Sequence, residues 1–462
     1  EIKINIYCFY VIGIDGVKKM CNYEDYSLSN ITYFDICKSF FTKCAILPGL
    51  LLFFMMIFVP TKYQMAKAIL LGMTLVFISG NILINKGKIR LHRTILLWML
   101  FYIILGLFWI LIGVINNTPG ALRVSTVYVL WPLIFTVLIS GISTDKMFSN
   151  LTKVLIISLI AIGIYDLSYM LYAYGWLPKF LYIPIDQGQA VGFYSGFVEF
   201  RLYNISSLLF LVPFCIAALF VWTDNSDMPI SRKWLWISFV LGMLLVFLSG
   251  RRALIGVVAI SPFITLFFKH FLPKKDSKLN RKKLIRTFVG LILILFGIYI
   301  YLYFIYGFNL QSLIKMFLEG FDFQYSGSAI KRKTQFYTLL EGWSKHPLFG
   351  AGHGASFSYK RLSKHPWAFE LSYVALLYQT GLIGFLAYSS GIIWMFWKGV
   401  SMIRYGHFLG IQILPVLVGT ACFLVGNATN PYLSKFDYMW VIFLPLAFIN
   451  LWLLKKGDKL NG

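Results

Sequence analysis

The sequence predicts an all-α fold, a polytopic transmembrane bundle of about twelve helices with one long helical loop outside the membrane. Three observations predict it. Hydrophobic residues fill 59% of the 462 positions and aromatic residues 18%, with a mean hydropathy of +0.74; soluble domains are only about 45–50% apolar. Apolar runs near the roughly 20 residues needed to span a bilayer recur at 44–60, 66–84, 94–115, 121–140, 151–174, 202–222, 234–250, 253–271, 287–308, 371–397, 408–426 and 437–454. Basic residues sit between these runs with a clear preference for one side, as membrane topology requires.

The chain divides accordingly. Residues 1–43 form a cytoplasmic N-terminal segment, in which the apolar stretch Ile4–Ile14 is too short to span and has no small-residue cleavage site, so it does not read as a signal peptide. Residues 44–308 carry the first nine spans, 309–370 a long outer loop, 371–454 the last three spans, and 455–462 a cytoplasmic tail. With the N-terminus cytoplasmic, the cytoplasmic segments hold 26 Lys and Arg and the opposite side 16, eight of them in the 309–370 loop. Long loops cross largely regardless of charge, so the bias that orients the chain is 26 against 8. The 175–201 loop, the turn Gly250–Arg252 and the 309–370 loop then face outward.

The formal charge of +24 does not point to nucleic acid, because no basic stripe interleaved with aromatics forms a separate domain. It suits anionic headgroups or pyrophosphates instead. Of the six cysteines, Cys8, Cys21, Cys37 and Cys44 lie in or beside the N-terminal segment, and Cys215 and Cys422 lie within apolar runs. That placement implies neither a disulfide framework nor a metal-binding spacing.

Chemistry concentrates at the outer side. Arg201 opens the sixth span, Arg251 and Arg252 form the turn between the seventh and eighth, and Arg332 lies in the long loop. Guanidinium groups are permanently charged planar forks that hold phosphate oxygens in paired bonds. Several converging would make a pyrophosphate clamp; the alternative is snorkelling to headgroups. His346-Pro-Leu-Phe-Gly350-Ala-Gly352-His353-Gly354 alternates three glycines, which permits positive φ and close backbone approach. It follows no strand, so it is either a plain turn after an amphipathic helix near 335–345 or part of the site, not a dinucleotide loop. His353, His365 and Glu370 are candidates for taking a proton from a hydroxyl. Asp166 and Arg123, costly in lipid, either line a cavity or pair with one another. Trp343, Phe357, Tyr359 and Trp367 either offer flat aromatic faces to a ligand or form an interfacial belt. No metal is expected: the loop lacks clustered carboxylates, and its histidines are too far apart for helical pairing.

An arginine, then Trp343 and HPLFGAGHG, then a linker bearing His365 and Glu370 that runs into SYVALLYQTGLIGFLAY, resembles the bacterial O-antigen ligase and O-antigen or capsule polysaccharide polymerase superfamily. FLSGRRAL looks like its serine–arginine turn, placing Arg251 (or Arg252, shifted by one) at that arginine; Arg201 resembles a third. The resemblance covers roughly 195–390. It implies a GT-C-like fold in the inner membrane with the site facing the periplasm. The implied reaction is inverting and cofactor-free, transferring an oligosaccharide from undecaprenyl diphosphate. The implied partners are lipid-linked donor and acceptor, membrane lipids and a chain-length regulator. Ligases carry His-Asn where this chain has Glu370-Leu371, which favours a polymerase over a ligase and leaves the base open between Glu370 and His365. A flippase is the rival from another class, but no internal repeat is visible.

Overall fold

A computed structural model of the chain describes residues 33–84, 89–142, 144–182, 184–185, 190–194, 197–201, 204–222, 229–273, 281–306, 311, 327–357 and 365–460. Its helices are α1 (Tyr33–Phe58), α2 (Gln64–Ile84), α3 (Arg93–Ile115), α4 (Ala121–Ser125), α5 (Trp131–Gly141), α6 (Asp145–Ala173), α7 (Leu208–Val221), α8 (Arg232–Leu248), α9 (Arg252–Lys269), α10 (Arg281–Tyr306), α11 (Gly327–Lys345), α12 (Ser372–Tyr405), α13 (His407–Asn427) and α14 (Phe436–Leu460). A π-turn, Thr126–Leu130, joins α4 to α5 into one rod.

Among the described residues nine helices are long and apolar enough to cross a membrane, as a multi-pass membrane protein requires. They are α2, α3, the α4–α5 rod, α6, α7 with its leading turn, α9, α12, α13 and α14. The three remaining predicted spans fall on α1, α8 and α10.

Local chemistry sets several boundaries. His92, in extended conformation, accepts a hydrogen bond from the Thr94 amide at 3.2 Å and starts α3. Thr144 does the same for Met147 at the start of α6, 3.3 Å away. Each cap satisfies an amide that the helix itself leaves without a partner.

The structure corrects three expectations. Helix α1 begins at Tyr33 rather than near residue 44. The loop helix α11 begins at Gly327, well before 335. Within the expected all-helical fold, β1 (Ala190–Tyr194) and β2 (Phe197–Arg201) form one short antiparallel hairpin in the 175–201 loop, with Ala190 opposite Arg201. Arg201 therefore ends a strand instead of opening a span, which starts with the turn Asn204–Ser207.

Helix α7, LLFLVPFCIAALFV, is apolar all round, and every one of its residues is buried. A helix with no polar face belongs at the centre of a bundle. Helices α13, α9 and α8 pack around it. Pro213, Pro415 and Pro445 sit inside α7, α13 and α14, where packed neighbours can absorb the kinks. The C-terminal ends of α3 and α13 and the N-terminal ends of α4, α9, α12 and α14 gather at one end of the bundle. The hydrogen bonds and close approaches described below join them to α11 and the glycine loop.

Candidate active site at the loop end

The glycine loop is built into a broken helix. At Gly381, with φ +66° and ψ −174°, α12 leaves helical conformation. The backbone groups freed there are taken up by the loop. The Ala351 and Gly352 amides donate to the Tyr378 and Gln379 carbonyls at 3.1 and 2.8 Å, and the Leu382 and Ile383 amides donate to Pro347 and Leu348 at 2.9 and 3.1 Å. Gly350, Gly352 and Gly354 have φ of +70°, +92° and +77°. A Cβ on them would fall 2.4 Å from the Gly381 nitrogen, 2.3 Å from the Gly113 nitrogen and 2.2 Å from the Gly120 carbonyl carbon, respectively. Each glycine lets the loop touch a different piece of backbone: α12, the end of α3 and the start of α4. The Trp109 indole donates to the Phe349 carbonyl at 2.8 Å and fastens the same loop to α3.

His353 is placed where it can anchor but not catalyse. Its side chain has no exposed surface and stacks on Tyr128 with ring centroids 3.8 Å apart. Gln379 donates through Nε2 to the Ala355 carbonyl, which turns its Oε1 towards His353 Nδ1 at 3.4 Å. His353 Nε2 then accepts from the Tyr388 hydroxyl at 3.0 Å. Burial pushes the imidazole down to about 3, against the smaller opposing effect of the Gln379 hydrogen bond. It is a neutral packing group at ordinary pH.

The charged cluster lies beside this platform. Arg332 on α11 donates from Nε to Glu370 Oε2 at 3.1 Å, in a partly exposed pair. Buried Gln335, one turn along α11, accepts from both the Glu370 and Leu371 amides at 2.9 Å. That capping fixes Glu370 at the mouth of α12.

Arg251 arrives from another direction. Gly250 turns the chain with φ +60°, buried Ser249 accepts from the Arg251 amide at 3.3 Å, and α9 begins. The Arg251 guanidinium lies close enough to the Tyr432 hydroxyl to stabilise its ionised form, and Arg332 is near enough for its charge to act on the same hydroxyl. Burial raises the Tyr432 phenol above its ordinary range, while both arginines pull it back. Arg252, half-buried, opens α9. Two arginines at the positive end of a helix dipole favour a nearby anion.

A buried layer supports the Tyr432 turn. The Leu433 amide donates to Asn427 Oδ1 at 3.1 Å, and Ser372 Oγ donates to the Asn427 carbonyl at 2.7 Å. The Tyr438 ring lies 5.4 Å from that of Tyr432, and its hydroxyl bonds Ser206. Asp437 is ion-paired with Lys67, both almost wholly buried. It also accepts from the Thr61 amide at 3.1 Å and Gln64 Nε2 at 3.2 Å, while Lys67 donates to the Val59 carbonyl at 2.7 Å. This network holds the α1–α2 turn against the start of α14.

Other expected residues lie elsewhere. His365 is exposed, its ring 5.5 Å from Trp367. Trp367 lies against Gly120. The Trp343 indole donates to the Pro347 carbonyl at 3.0 Å, and Phe357 lies beneath Lys345 at 4.9 Å. Both aromatics thus serve the loop's own packing. Tyr359 and the Arg201 side chain fall outside the described residues. Asp166 is fully buried and accepts from Asn204 Nδ2 at 2.8 Å, whereas Arg123 is exposed, so the two do not pair. Among the described residues, no three His, Cys, Asp or Glu side chains gather as a metal site.

No protein-family model matches the chain, and no curated protein is significantly similar to it.

The arrangement offers two guanidinium groups, one carboxylate and a phenol at a partly open mouth, on rigid footings. Such a set can receive an anion and accept a proton beside it.

Proposed function

We propose that the protein is a surface-polysaccharide (O-antigen type) polymerase. In this reading it is an inverting, metal-independent glycosyltransferase on the periplasmic side of a bacterial inner membrane, with twelve spans in a GT-C-like arrangement. It moves an oligosaccharide from undecaprenyl diphosphate onto the terminal sugar of a second lipid-linked repeat unit. The observation that carries this reading is the convergence of Arg251 and Arg332, from separate elements, on Tyr432, next to the carboxylate of Glu370.

The chemistry asks little beyond charge placement. A diphosphate is already a good leaving group, so the largest demand is to stabilise the charge that develops on it. Arg251 and Arg332 supply that. The acceptor hydroxyl oxygen bonds the anomeric carbon, the carbon–oxygen bond to the diphosphate breaks with inversion, and the hydroxyl proton passes to a base. Glu370 is the base we favour over exposed His365, because an arriving diphosphate competes for Arg332 and frees the carboxylate as the acceptor binds. Buried, neutral His353 has no part in proton transfer.

The test uses purified protein and lipid-linked repeat units, without nucleotide and with EDTA. The expected result is a ladder of longer chains, and Arg251→Lys should abolish it despite the retained charge, because the fork is lost. Transfer only to lipid A core would make the protein a ligase, and vesicle crossing of unchanged units would make it a transporter. Loss of the ladder in EDTA with rescue by magnesium would overturn the metal-free scheme.

A further inference from the structure

A second site lies towards the opposite end of the bundle. Helices α1, α2, α5, α6 and α14 enclose a cavity of about 170 Å³. Its chemistry changes along its length. Phe53, Met56, Phe135 and Trp440 line the part nearer the loop end, while Asn81, Arg90 and Thr144 stand at the far rim. Along α1 the wall runs from Ala45 to Met56, about 16 Å at 1.5 Å rise per residue. That is about half of a hydrocarbon core roughly 30 Å thick, which is the depth of one leaflet.

The basic rim residue is held in place. Asn450 on α14 is fully buried; its Nδ2 donates to the Arg90 carbonyl at 3.1 Å and its Oδ1 accepts from the His92 amide at 2.8 Å. Both halves of one buried amide therefore fix the stretch that presents Arg90. Asp145, beside Thr144, is already engaged by Lys455 at 2.7 Å, so the rim does not repel an anion. An apolar slot of leaflet depth with an arginine at its rim, on backbone that Asn450 holds in place, matches a chain with an acidic headgroup.

We propose that this cavity holds one acyl chain of an anionic phospholipid, with its phosphate on Arg90. The charge bias of the loops assigns that lipid to the cytoplasmic leaflet. The site is separate from the Arg251–Arg332 cluster and does not depend on the reaction proposed there.

The test is lipid retention by the full-length protein. Wild type, Arg90→Glu and Gly49→Leu would be reconstituted in phosphatidylglycerol–phosphatidylcholine nanodiscs, released into mild detergent and weighed by native mass spectrometry. Arg90 is exposed, so its replacement leaves the packed interior alone. Gly49 lines the slot, and a leucine there fills it; the thermal midpoint of each variant checks that it is folded. The wild type should retain one phosphatidylglycerol at least fivefold over phosphatidylcholine, the ratio expected from one basic group near an acidic lipid. Arg90→Glu should lose that preference, and folded Gly49→Leu should lose both lipids. Equal retention of the two lipids by wild type, no retained lipid, or an unchanged preference in Arg90→Glu would overturn the proposal. So would a polyprenyl phosphate as the only co-purifying lipid from native membranes.

Discussion

Replacing Gly352 by alanine tests the docking of the loop most directly. The new methyl would lie 2.3 Å from the Gly113 nitrogen and 2.4 Å from its Cα, and these are backbone atoms that no rotamer change can move. Its φ of +92° adds the strain of a left-handed conformation, about 1–2 kcal/mol, to an overpacking cost of about 1–3 kcal/mol. The sum is roughly 3 kcal/mol, before any loss of the Gly352–Gln379 hydrogen bond. Thermal unfolding in detergent should show a midpoint lowered by roughly 5 °C or more. Gly72→Ala is the control: it lies on α2 with nothing within 4 Å of its added Cβ, and alanine there should be neutral or slightly stabilising. Equal midpoints for the two variants would refute the backbone-to-backbone docking described above.

Three more outcomes follow from the same geometry. Lys67→Met strands the buried Asp437 carboxylate and should cost about 3–5 kcal/mol; adding Asp437→Leu should recover much of that loss, measured by the same unfolding assay. His353 titrates near 3 when folded against about 6.5 when unfolded, so its contribution is complete above pH 6.5 and is lost as pH falls towards 3. Midpoints measured across that window should fall less steeply for His353→Gln than for the wild type. Tyr432→Phe removes the hydroxyl beside Arg251 and should lower kcat/KM for chain extension roughly tenfold without changing the midpoint.

The bundle was legible because lipid imposes its pattern on every span, so hydropathy alone places the helices. The arginines of the loop end were legible for the converse reason: permanent charge at a helix mouth stands out. The partners of those charges were not. Tyr432 meets Arg251 across more than a hundred residues of chain, and Asp437 meets Lys67 across an even longer interval; no local period links such positions. Nothing local in the sequence marks Gln335, one polar residue of a loop helix, as the group that caps α12. His353 misled because a histidine among glycines resembles a catalytic turn, and only its burial reveals a packing role. The hairpin ending at Arg201 was hidden by its continuity with an apolar run.

The break at Gly381 has a consequence for how this protein can be altered. Residues 347–352 supply the backbone bonds that residues 378–383 lack, so neither stretch is complete without the other. A chimera that replaces the glycine loop must replace the broken turn of α12 as well. Exchanging either one alone would leave backbone amides and carbonyls at the break without the partners that now satisfy them.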